Sequence, residues 1–394
     1  MATFKPNGHA VLSASGAARW LACTPSARLE EGLPDTTSAA AAEGTLAHSI
    51  GEILIRQEIS GPALEFTIML DNLKKDPLYS PAMLAHLIEY SDFTAERYNA
   101  AKVLTPDAVI EQEIAADYSK YVPEGVGTLD VCIIADGTLE IIDLKFGKGV
   151  EVSAVDNPQM KLYALGALEK YDWLYTIDRV KMTIYQPRID NFSTWVITVK
   201  DLRQWAETEL RTKSLLAWTG QGDFVPGKHC QFCKVRATCK ANAAFNLDIA
   251  RTDFIEPVLL SDPELADIIQ RAAMFKNWIK SVEDYALHAA VKEGRKFPGL
   301  KLVEGRSARI YKEPETIAST LHLAGFDDSQ IFELVGITKL EKLVGKKPLD
   351  KLVGQYIVKT TGKPTLVPQD DKRQELNSAA AALADFAADL DDDI

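Results

Sequence analysis

The sequence has few of the features that place a protein in a membrane or in an oxidising compartment. None of its 394 residues lies in an apolar run long enough to span a bilayer, and the start, MATFKPNGHA, is too polar for a secretory signal peptide. It holds only five cysteines, and a disulfide framework is not expected in a long chain without such a signal. We therefore expect a protein of the reducing cytoplasm with no membrane partner.

Two further absences narrow the class of activity. No G-x-x-x-x-G-K-[ST] sequence is present, so nothing indicates a nucleotide-hydrolysing motor of the P-loop type. Positive charge is scarce overall, since 44 Lys and Arg face 56 Asp and Glu and leave a net charge of −12. DNA affinity depends on local basic patches rather than on the sum, and acids gather in the final ADFAADLDDDI. The net charge therefore does not exclude a nucleic-acid partner.

A β-hairpin with charged residues in it is the most informative stretch that is present. Residues 127–148 read GTLDVCIIADGTLEIIDLKFGK, in which Asp136-Gly137 between β-branched runs is typical of a two-residue hairpin turn. With that turn Asp130 lies opposite Asp143, and directly opposite residues have Cβ atoms about 4.5–5.5 Å apart. Lys145 shares the face of Asp143, because side chains two apart on a strand point the same way. The pattern predicts two carboxylates and an ammonium at one spot.

Such a group suits a hard divalent cation. Carboxylate ligands that leave room for water and phosphate oxygens are typical of Mg²⁺ or Mn²⁺ sites. The ion would offset the repulsion between Asp130 and Asp143 and polarise a phosphoryl group, while Lys145 would orient the nucleophile or stabilise developing negative charge. The alternative is a Lys–Asp salt bridge at a sheet edge, which two opposed acids make the weaker interpretation.

The same residues resemble a nuclease signature. Gly127-Thr128-Leu129-Asp130 followed by Ile142-Asp143-Leu144-Lys145 is similar to the motif of the PD-(D/E)XK nuclease superfamily, where an Asp precedes an Asp/Glu-x-Lys on the next strand. Downstream, NPQMKLYAL begins a helix and matches the Gln-x-x-x-Tyr motif of the RecB-like branch through Gln159 and Tyr163. Upstream, EGTLAHSIGE resembles the first RecB-like motif, Gly-x-x-x-His-x-x-x-Glu, with His48 as its histidine.

This resemblance implies a role for each residue. His48, Asp130 and Asp143 would hold the catalytic Mg²⁺ or Mn²⁺, Lys145 would assist the attacking water, and Gln159 and Tyr163 would line the active site beside DNA. Glu52 is carried over only as a supporting residue. Taken alone, the Gln159 helix is an ordinary amphipathic helix, and a lone histidine on an apolar helix is more often structural than a ligand.

Four of the five cysteines form a second pattern. Residues 226–240, PGKHCQFCKVRATCK, hold Cys230, Cys233 and Cys239 in a C-x2-C-x5-C arrangement, and Cys23 stands far upstream. The cysteine spacing is compatible with two kinds of metal site. One is a structural Zn²⁺ with Cys23 or His229 as fourth ligand, and the other is an iron–sulfur cluster held by four thiolates. A zinc ribbon would show a second tight pair, which this chain lacks. The fifth cysteine, Cys132, is expected to be a small buried side chain on the face of Asp130.

The arrangement resembles the iron–sulfur clasp of AddB-type and CRISPR-associated RecB-like nucleases. In that family a 4Fe–4S cluster pins the start of the chain to the segment after the nuclease core, and Cys23, Cys230, Cys233 and Cys239 match it residue by residue. The resemblance implies a structural cluster rather than a redox-catalytic one. It would close a loop of roughly two hundred residues, and long closures gain most from a cross-link.

The predicted fold is α/β, with a restriction-endonuclease-like core whose central mixed sheet is flanked by helices, followed by a mainly helical C-terminal extension. Residues 1–245 form the nuclease domain. Residues 246–365 form the extension, whose basic hairpin offers Arg306 and Arg309 to DNA phosphates, or is a solvated β-edge. Residues 366–394 form an acidic, disordered tail.

The resemblance implies a metal-dependent DNA exonuclease that acts on linear DNA, of a phage or prophage type found in the bacterial host cytoplasm. Its purpose would be recombination or end processing, alongside a phage single-strand annealing or single-strand-binding protein. Two alternatives remain. One is a non-catalytic DNA-binding or scaffold subunit, against which intact Asp130, Asp143 and Lys145 argue. The other is a CRISPR-adaptation-type nuclease that trims short DNA.

Overall fold

The structure is a computed structural model of the whole chain. It describes the single residues 328 and 332 and the ranges 10–34, 39–148, 150–250, 262–303, 314–323 and 335–357. The predicted basic hairpin, with Arg306 and Arg309, and the acidic tail 366–394 lie outside the described residues.

One mixed sheet and the helices around it make up the described chain, which confirms the predicted α/β class. The strands are β1 Val109–Asp117, β2 Val126–Ala135, β3 Gly137–Leu144, β4 Ile177–Gln186 and β5 Asn191–Thr198. The helices are α1 Ala17–Ala22, α2 Ser26–Glu30, α3 Ala39–Ser60, α4 Leu64–Leu73, α5 Pro81–Leu104, α6 Pro158–Tyr171, α7 Val199–Trp205, α8 Arg211–Thr219, α9 Lys240–Ala250, α10 Asp262–Glu293, α11 Pro314–Leu323, α12 Ile337–Val344 and α13 Lys346–Val353.

The strands lie side by side in chain order, β1-β2-β3-β4-β5. Every neighbouring pair is antiparallel except β3 and β4, which are parallel and are joined by the crossover helix α6. The β2–β3 hairpin has the predicted register: Val131 pairs with Ile142 and Ala135 with Thr138. Its turn requires Gly137, whose φ of 78° is a conformation that most side chains avoid.

Both faces of the sheet are buried. The first core cluster lies between the sheet and α6 and includes Cys132, Ile141 and Leu165. The second core cluster lies between the sheet and helices α3 and α5 and includes Ile50 and Ile142. Each fully buried aliphatic side chain of this size contributes roughly 1.5–3 kcal/mol to folding. Two successive residues of β3, Ile141 and Ile142, therefore hold helices on opposite faces of one strand.

Helix α6 approaches the sheet unusually closely. A Cβ added to Gly166 would lie 2.7 Å from the carbonyl carbon of Ala116 on β1, so only glycine fits there. The first turn of α6 is capped by Asn157, whose side-chain oxygen accepts hydrogen bonds from the backbone N–H groups of Gln159 at 3.0 Å and Met160 at 3.3 Å. Contact and cap together fix the helix that carries Gln159 and Tyr163.

The helix that follows β5 is capped by its preceding threonine. Thr198 Oγ1 accepts a hydrogen bond from the backbone N–H of Asp201 in α7 at 3.0 Å. Thr198 also donates its hydroxyl to the Asp201 carboxylate at 2.7 Å. The acid is thus in the third position of the helix, where it faces the positive end of the helix dipole.

The N-terminal segment packs against the residues that follow the sheet. Thr24 donates a hydrogen bond to the carbonyl of Gln221, and Arg28 donates one to the carbonyl of Trp218, both at 2.5 Å. The Arg28 guanidinium also lies over the Trp218 ring at 4.2 Å. Thr24 and Arg28 are therefore held beside the end of α8, next to the cysteine-rich segment.

None of the helices in the described ranges is long and apolar enough to cross a bilayer.

Candidate metal centre and cysteine cluster

Three side chains from three different elements meet at the middle of β1 and β2, beside the point where β3 ends. They are His48 on α3, Glu113 on β1 and Asp130 on β2, and each offers a ligand atom within 4.8 Å of the others. His48 Nδ1 lies 3.3 Å from Asp130 Oδ1 and 4.0 Å from Glu113 Oε1. One imidazole and two carboxylates are a donor set that suits a divalent cation such as Mn²⁺.

Glu113 reaches this group because the alternation of β1 breaks at its position. Gln112 lines the pocket that holds His48, whereas Ile114 packs on the first core cluster, although regular strand residues two apart share a face. Glu113 itself has a φ of 49°, a left-handed conformation that is uncommon for a residue other than glycine. Such departures are found where a site constrains the backbone.

Asp130 lies opposite this break, between the paired positions Gln112–Val131 and Ile114–Leu129. Its Oδ2 accepts a hydrogen bond from the backbone N–H of Leu144 at 2.7 Å, and its Oδ1 faces His48. Cys132 instead packs in the first core cluster with α6. The prediction that Asp130 and Cys132 share a face is therefore wrong, because the local break turns Asp130 toward α3.

Asp143, Lys145, Gln159 and Tyr163 form a second, adjoining group. Lys145 Nζ lies 2.9 Å from Asp143 Oδ2 and donates a hydrogen bond to Gln159 Oε1 at 3.2 Å. Gln159 Nε2 donates to Asp143 Oδ1 at 3.4 Å and to the Tyr163 hydroxyl at 3.1 Å. The four residues that the nuclease motifs select are thus joined by one chain of polar contacts, although they come from β3 and α6.

Gly127 explains how Tyr163 fits into this group. A Cβ on Gly127 would lie 3.0 Å from Cε1 of Tyr163, closer than ordinary side-chain contacts allow. The glycine that opens the Gly-Thr-Leu-Asp sequence thus makes room for the tyrosine ring. It links two motifs that are far apart in the sequence.

The loop between β3 and α6 is held by two buried amides. Gln186 Oε1 accepts a hydrogen bond from the backbone N–H of Val152 at 2.7 Å, and Asn191 Nδ2 donates to the carbonyl of Val152 at 2.9 Å. The backbone N–H of Ala154 donates to Ser193 at 2.9 Å. The end of β4 and the start of β5 therefore position the loop that leads into Gln159.

Charge at the two groups is unbalanced. Burial and the neighbouring Asp130 charge raise the pKa of Glu113 to about 7. Burial raises the pKa of Asp143 as well, with Lys145 opposing and Asp130 adding to the shift. Burial alone would lower the pKa of His48, but its hydrogen bond to Asp130 and the charges around it raise the value. Three acids thus crowd against one ammonium and one imidazole, and a bound divalent cation would relieve the repulsion among their carboxylate charges.

The atoms present fit such a cation. Asp143 is 2% exposed, and its Oδ2 accepts no hydrogen bond of favourable geometry in spite of its nearness to Lys145. A carboxylate oxygen has two lone pairs, so Oδ2 keeps acceptor capacity even beside the Lys145 ammonium. Unused acceptor capacity beside His48, Glu113 and Asp130 is what a divalent ion satisfies.

The structure places the predicted metal ligands in two groups rather than one. His48 and Asp130 meet as predicted, but their third partner is Glu113, which the sequence interpretation missed. Asp143 belongs to the adjoining group with Lys145. A signal for Glu113 was present, since it is an acid in the strand that precedes the hairpin. To assign Glu113 to the site, one needs the β1–β2 register and the local break in β1, and the sequence shows neither.

Replacing Glu113 with Gln is expected to weaken Mn²⁺ binding by about tenfold or more, because it removes one of three anionic or imidazole ligands. Glu111→Gln is the matched control, since Glu111 lies two residues away and accepts a hydrogen bond from Lys170 at 2.9 Å instead. Calorimetric titration of both variants with Mn²⁺ checks the prediction. Equal weakening in the two variants would mean that Glu113 is not a ligand.

Cys23, Cys230, Cys233 and Cys239 are brought together around one cavity between the N-terminal segment and the segment after α8. Cys233 is 8% exposed and the other three are half-buried. Burial raises the pKa of Cys233 to about 12 and also raises the pKa of Cys230, with Cys23 and Cys239 nearby contributing to the latter. Thiolates in such a place need a bound cation or cluster to stabilise their charge.

Arg19 and Glu30 join the two segments that line this cavity. Arg19 Nη2 lies 2.5 Å from Glu30 Oε2, and its Nη1 donates to the carbonyl of Phe232 at 3.1 Å. Glu30 Oε1 accepts a hydrogen bond from the backbone N–H of Lys234 at 2.8 Å. Arg19 Nε is buried beside the thiols and makes no hydrogen bond within the described chain. An unused cationic donor suits an anionic, sulfur-rich group.

The spacing of the sulfur atoms also bears on the kind of metal. Within the described residues no three of the cysteine sulfurs lie within 4.8 Å of one another. A tetrahedral zinc about 2.3 Å from each sulfur would hold them about 3.8 Å apart. His229, the other candidate ligand, places its Nε2 2.8 Å from the carbonyl of Val225. The cysteine sulfurs are therefore spaced more widely than a single tetrahedral zinc would hold them.

Comparison with known proteins gives a match to a family profile and similarity to solved structures. A family profile described as "Protein of unknown function (DUF2800)" matches residues 9–374, which include every residue that the structure describes. A solved structure titled "Crystal structure of SSO0001" is similar at 13% sequence identity and a TM-score of 0.24, over 56% of this chain and 95% of that chain.

Proposed function

The chain belongs to the DUF2800 family, whose description assigns no function, and we propose that it is a metal-dependent DNA exonuclease with a RecB-like, restriction-endonuclease-like core. The observation that carries the proposal is the meeting of His48, Glu113 and Asp130 beside the Asp143–Lys145 pair. A set of divalent-ion ligands next to a buried lysine is typical of sites that hydrolyse phosphodiesters with a metal ion.

His48, Glu113 and Asp130 would hold the ion, with the Oδ2 of Asp143 as a further oxygen beside them. A bound Mg²⁺ or Mn²⁺ supplies a water of lowered pKa and polarises the phosphoryl oxygen. Their supports come from rigid elements: the N–H of Leu144 holds Asp130, and the backbone N–H of Lys145 donates to the carbonyl of Tyr185 at 2.9 Å. The ligands are thus set before substrate arrives.

Lys145 would act as a fixed positive charge. Burial opposes its charged form, but Asp143 and Asp130 outweigh that effect and raise its pKa, so the amine stays protonated at neutral pH. An ammonium in this position stabilises negative charge that develops on the phosphate and orients the attacking water. Gln159 holds the side chains of Lys145 and Asp143 in place relative to each other, since its amide contacts both.

The four cysteines would hold a 4Fe–4S cluster with a structural role. They join the N-terminal segment to the residues after α8, where Arg19 and Glu30 already bridge the same two segments. The cluster would keep Trp20 and the rest of the first helix in the core, where Trp20 is 2% exposed. It takes no part in the hydrolysis.

The test is degradation of end-labelled linear DNA and of circular DNA, single- and double-stranded, by protein purified without oxygen. We expect linear DNA to be shortened from an end, EDTA to stop the reaction, and added Mn²⁺ or Mg²⁺ to restore it. Activity should follow the protein peak through size-exclusion fractions. Protein that is folded and metal-loaded but leaves every linear substrate intact would contradict the proposal, and cutting of circles would convert it to an endonuclease.

A further inference from the structure

Arg188 connects three elements around the candidate metal centre. It lies in the short 3₁₀ turn Pro187–Ile189 between β4 and β5. Its Nη1 is 2.7 Å from Glu43 Oε2 and donates a hydrogen bond to the carbonyl of Phe146 at 3.3 Å. The guanidinium also lies over the Phe146 ring at 4.9 Å. Only 13% of the Arg188 side chain is exposed, so little of it is left to contact solvent or a ligand.

Each partner lies on an element that also carries, or leads directly from, a residue of the candidate site. Glu43 is on α3, five positions before His48, a rise of about 7.5 Å along the helix. Phe146 directly follows Lys145 at the end of β3, the strand that carries Asp143. Arg188 therefore ties the helix that supplies the imidazole to the strand end that supplies the second carboxylate and the ammonium.

We infer that Arg188 is a positioning residue, which fixes α3 against the end of β3 and so sets the place of His48 relative to Asp130 and Glu113. The inference rests on the proposed metal site. Arg188 touches neither the ligands nor the place where DNA would react, and its side chain is too engaged and too buried to serve as a phosphate contact.

The apolar contacts between α3 and the sheet do not fix this distance by themselves. Ile50 packs in the second core cluster with Ile142, but hydrophobic contact is non-directional and tolerates small shifts. A charge-assisted hydrogen bond defines direction as well as distance. A ligand set with atoms 3.3–4.0 Å apart needs that precision, because displacement of α3 by a fraction of an ångström moves His48 relative to the two carboxylates on the sheet.

Arginine is suited to this place where lysine is not. Its Nη1 meets the Glu43 carboxylate and the Phe146 carbonyl while the planar face of the guanidinium lies on an aromatic ring. A lysine would keep the charge near Glu43 but would lose the planar contact with the ring. Arg188→Lys is therefore expected to restore only part of what Arg188→Met loses.

The experiment measures Mn²⁺ binding without DNA, by calorimetry and by the electron paramagnetic resonance of free and bound Mn²⁺. We expect Arg188→Met and Glu43→Gln each to weaken Mn²⁺ binding by about tenfold, the low end for residues that support metal ligands. The double variant should be no weaker than the worse single variant, because both remove one interaction. Arg188→Lys should fall between wild type and Arg188→Met.

Arg97→Met is the matched control. Arg97 is another partly buried arginine that ties a helix to β3, through Glu140 at 2.9 Å, but it lies away from the ligands. We expect it to lower thermal stability at least as much as Arg188→Met while leaving Mn²⁺ affinity at the wild-type value. This comparison separates positioning of the site from support of the fold.

Wild-type affinity in Arg188→Met, or an equal loss in Arg97→Met, would overturn the inference. Because the readout needs no cleavage, the inference and the proposed function can fail separately. Wild-type protein that binds Mn²⁺ and shows the expected order of variants but cuts no DNA would refute the nuclease while keeping Arg188 as the positioning residue. Wild-type protein that binds no Mn²⁺ would overturn both.

Discussion

The Lys145→Met variant is expected to cleave linear DNA about 10²–10³-fold more slowly than wild type, the usual cost of removing one preorganised donor from a transition state. Methionine keeps the length and apolar stem of lysine, so the change removes the ammonium and little else. Asp143 loses the charge 2.9 Å from its Oδ2, and Gln159 loses the donor to its Oε1. Single-turnover rates at saturating Mn²⁺ check the prediction.

The same variant should still bind Mn²⁺, because His48, Glu113 and Asp130 are unchanged. Removal of a positive neighbour leaves the site more negative, so affinity for the ion should be equal or higher. Lys148→Met is the matched control, since Lys148 is exposed three positions further along the chain. A Lys145→Met protein that cuts at the wild-type rate would restore the alternative interpretation, in which Lys145 and Asp143 are only a salt bridge.

Loss of iron is the second large effect that we expect. Protein purified without oxygen should be brown and carry about four irons per chain, the content of a 4Fe–4S cluster, and Cys233→Ser should lose both the colour and the iron. In the chain-entropy account, a cross-link that closes a loop of this length is worth roughly 5 kcal/mol. Thermal unfolding of the iron-free variant should accordingly begin at a much lower temperature.

Cys132→Ala controls for the loss of any cysteine. Cys132 is fully buried in the first core cluster, away from the other four, so its replacement should cost stability without loss of iron. Colourless wild-type protein with stoichiometric zinc would contradict the cluster and leave the nuclease proposal standing. An iron-loaded Cys233→Ser protein would instead contradict the role of Cys233.

The hairpin shows what could be predicted from the sequence. Asp136-Gly137 fixed the turn, the turn fixed the register, and Val131 pairs with Ile142 as that register requires. Local turn chemistry determines hairpin pairing, so a short stretch held the needed information. The mixed sheet flanked by helices was predictable for a related reason, because strand and helix periodicities alternate along the chain.

Glu113 and Arg188 show what could not be predicted. Glu113 reaches the site through a backbone conformation that interrupts a strand, and the alternation rule assigns such a residue to a face without foreseeing the interruption. Arg188 depends on an ion pair with Glu43, which lies far away from it in the sequence. Long-range pairs of this kind follow from tertiary packing rather than from any local pattern.

The docking of the N-terminal segment beside α8 has a consequence for synthesis on the ribosome. Trp20 is buried in the first core cluster, yet its segment is held by Trp218, Gln221 and Phe232, which are made some two hundred residues later. At roughly 5–20 residues per second, that interval lasts about 10–40 s. During this time the nascent chain exposes a tryptophan and an unpartnered Cys23. A 4Fe–4S cluster of the proposed kind could accordingly be completed only after Cys239 has been made.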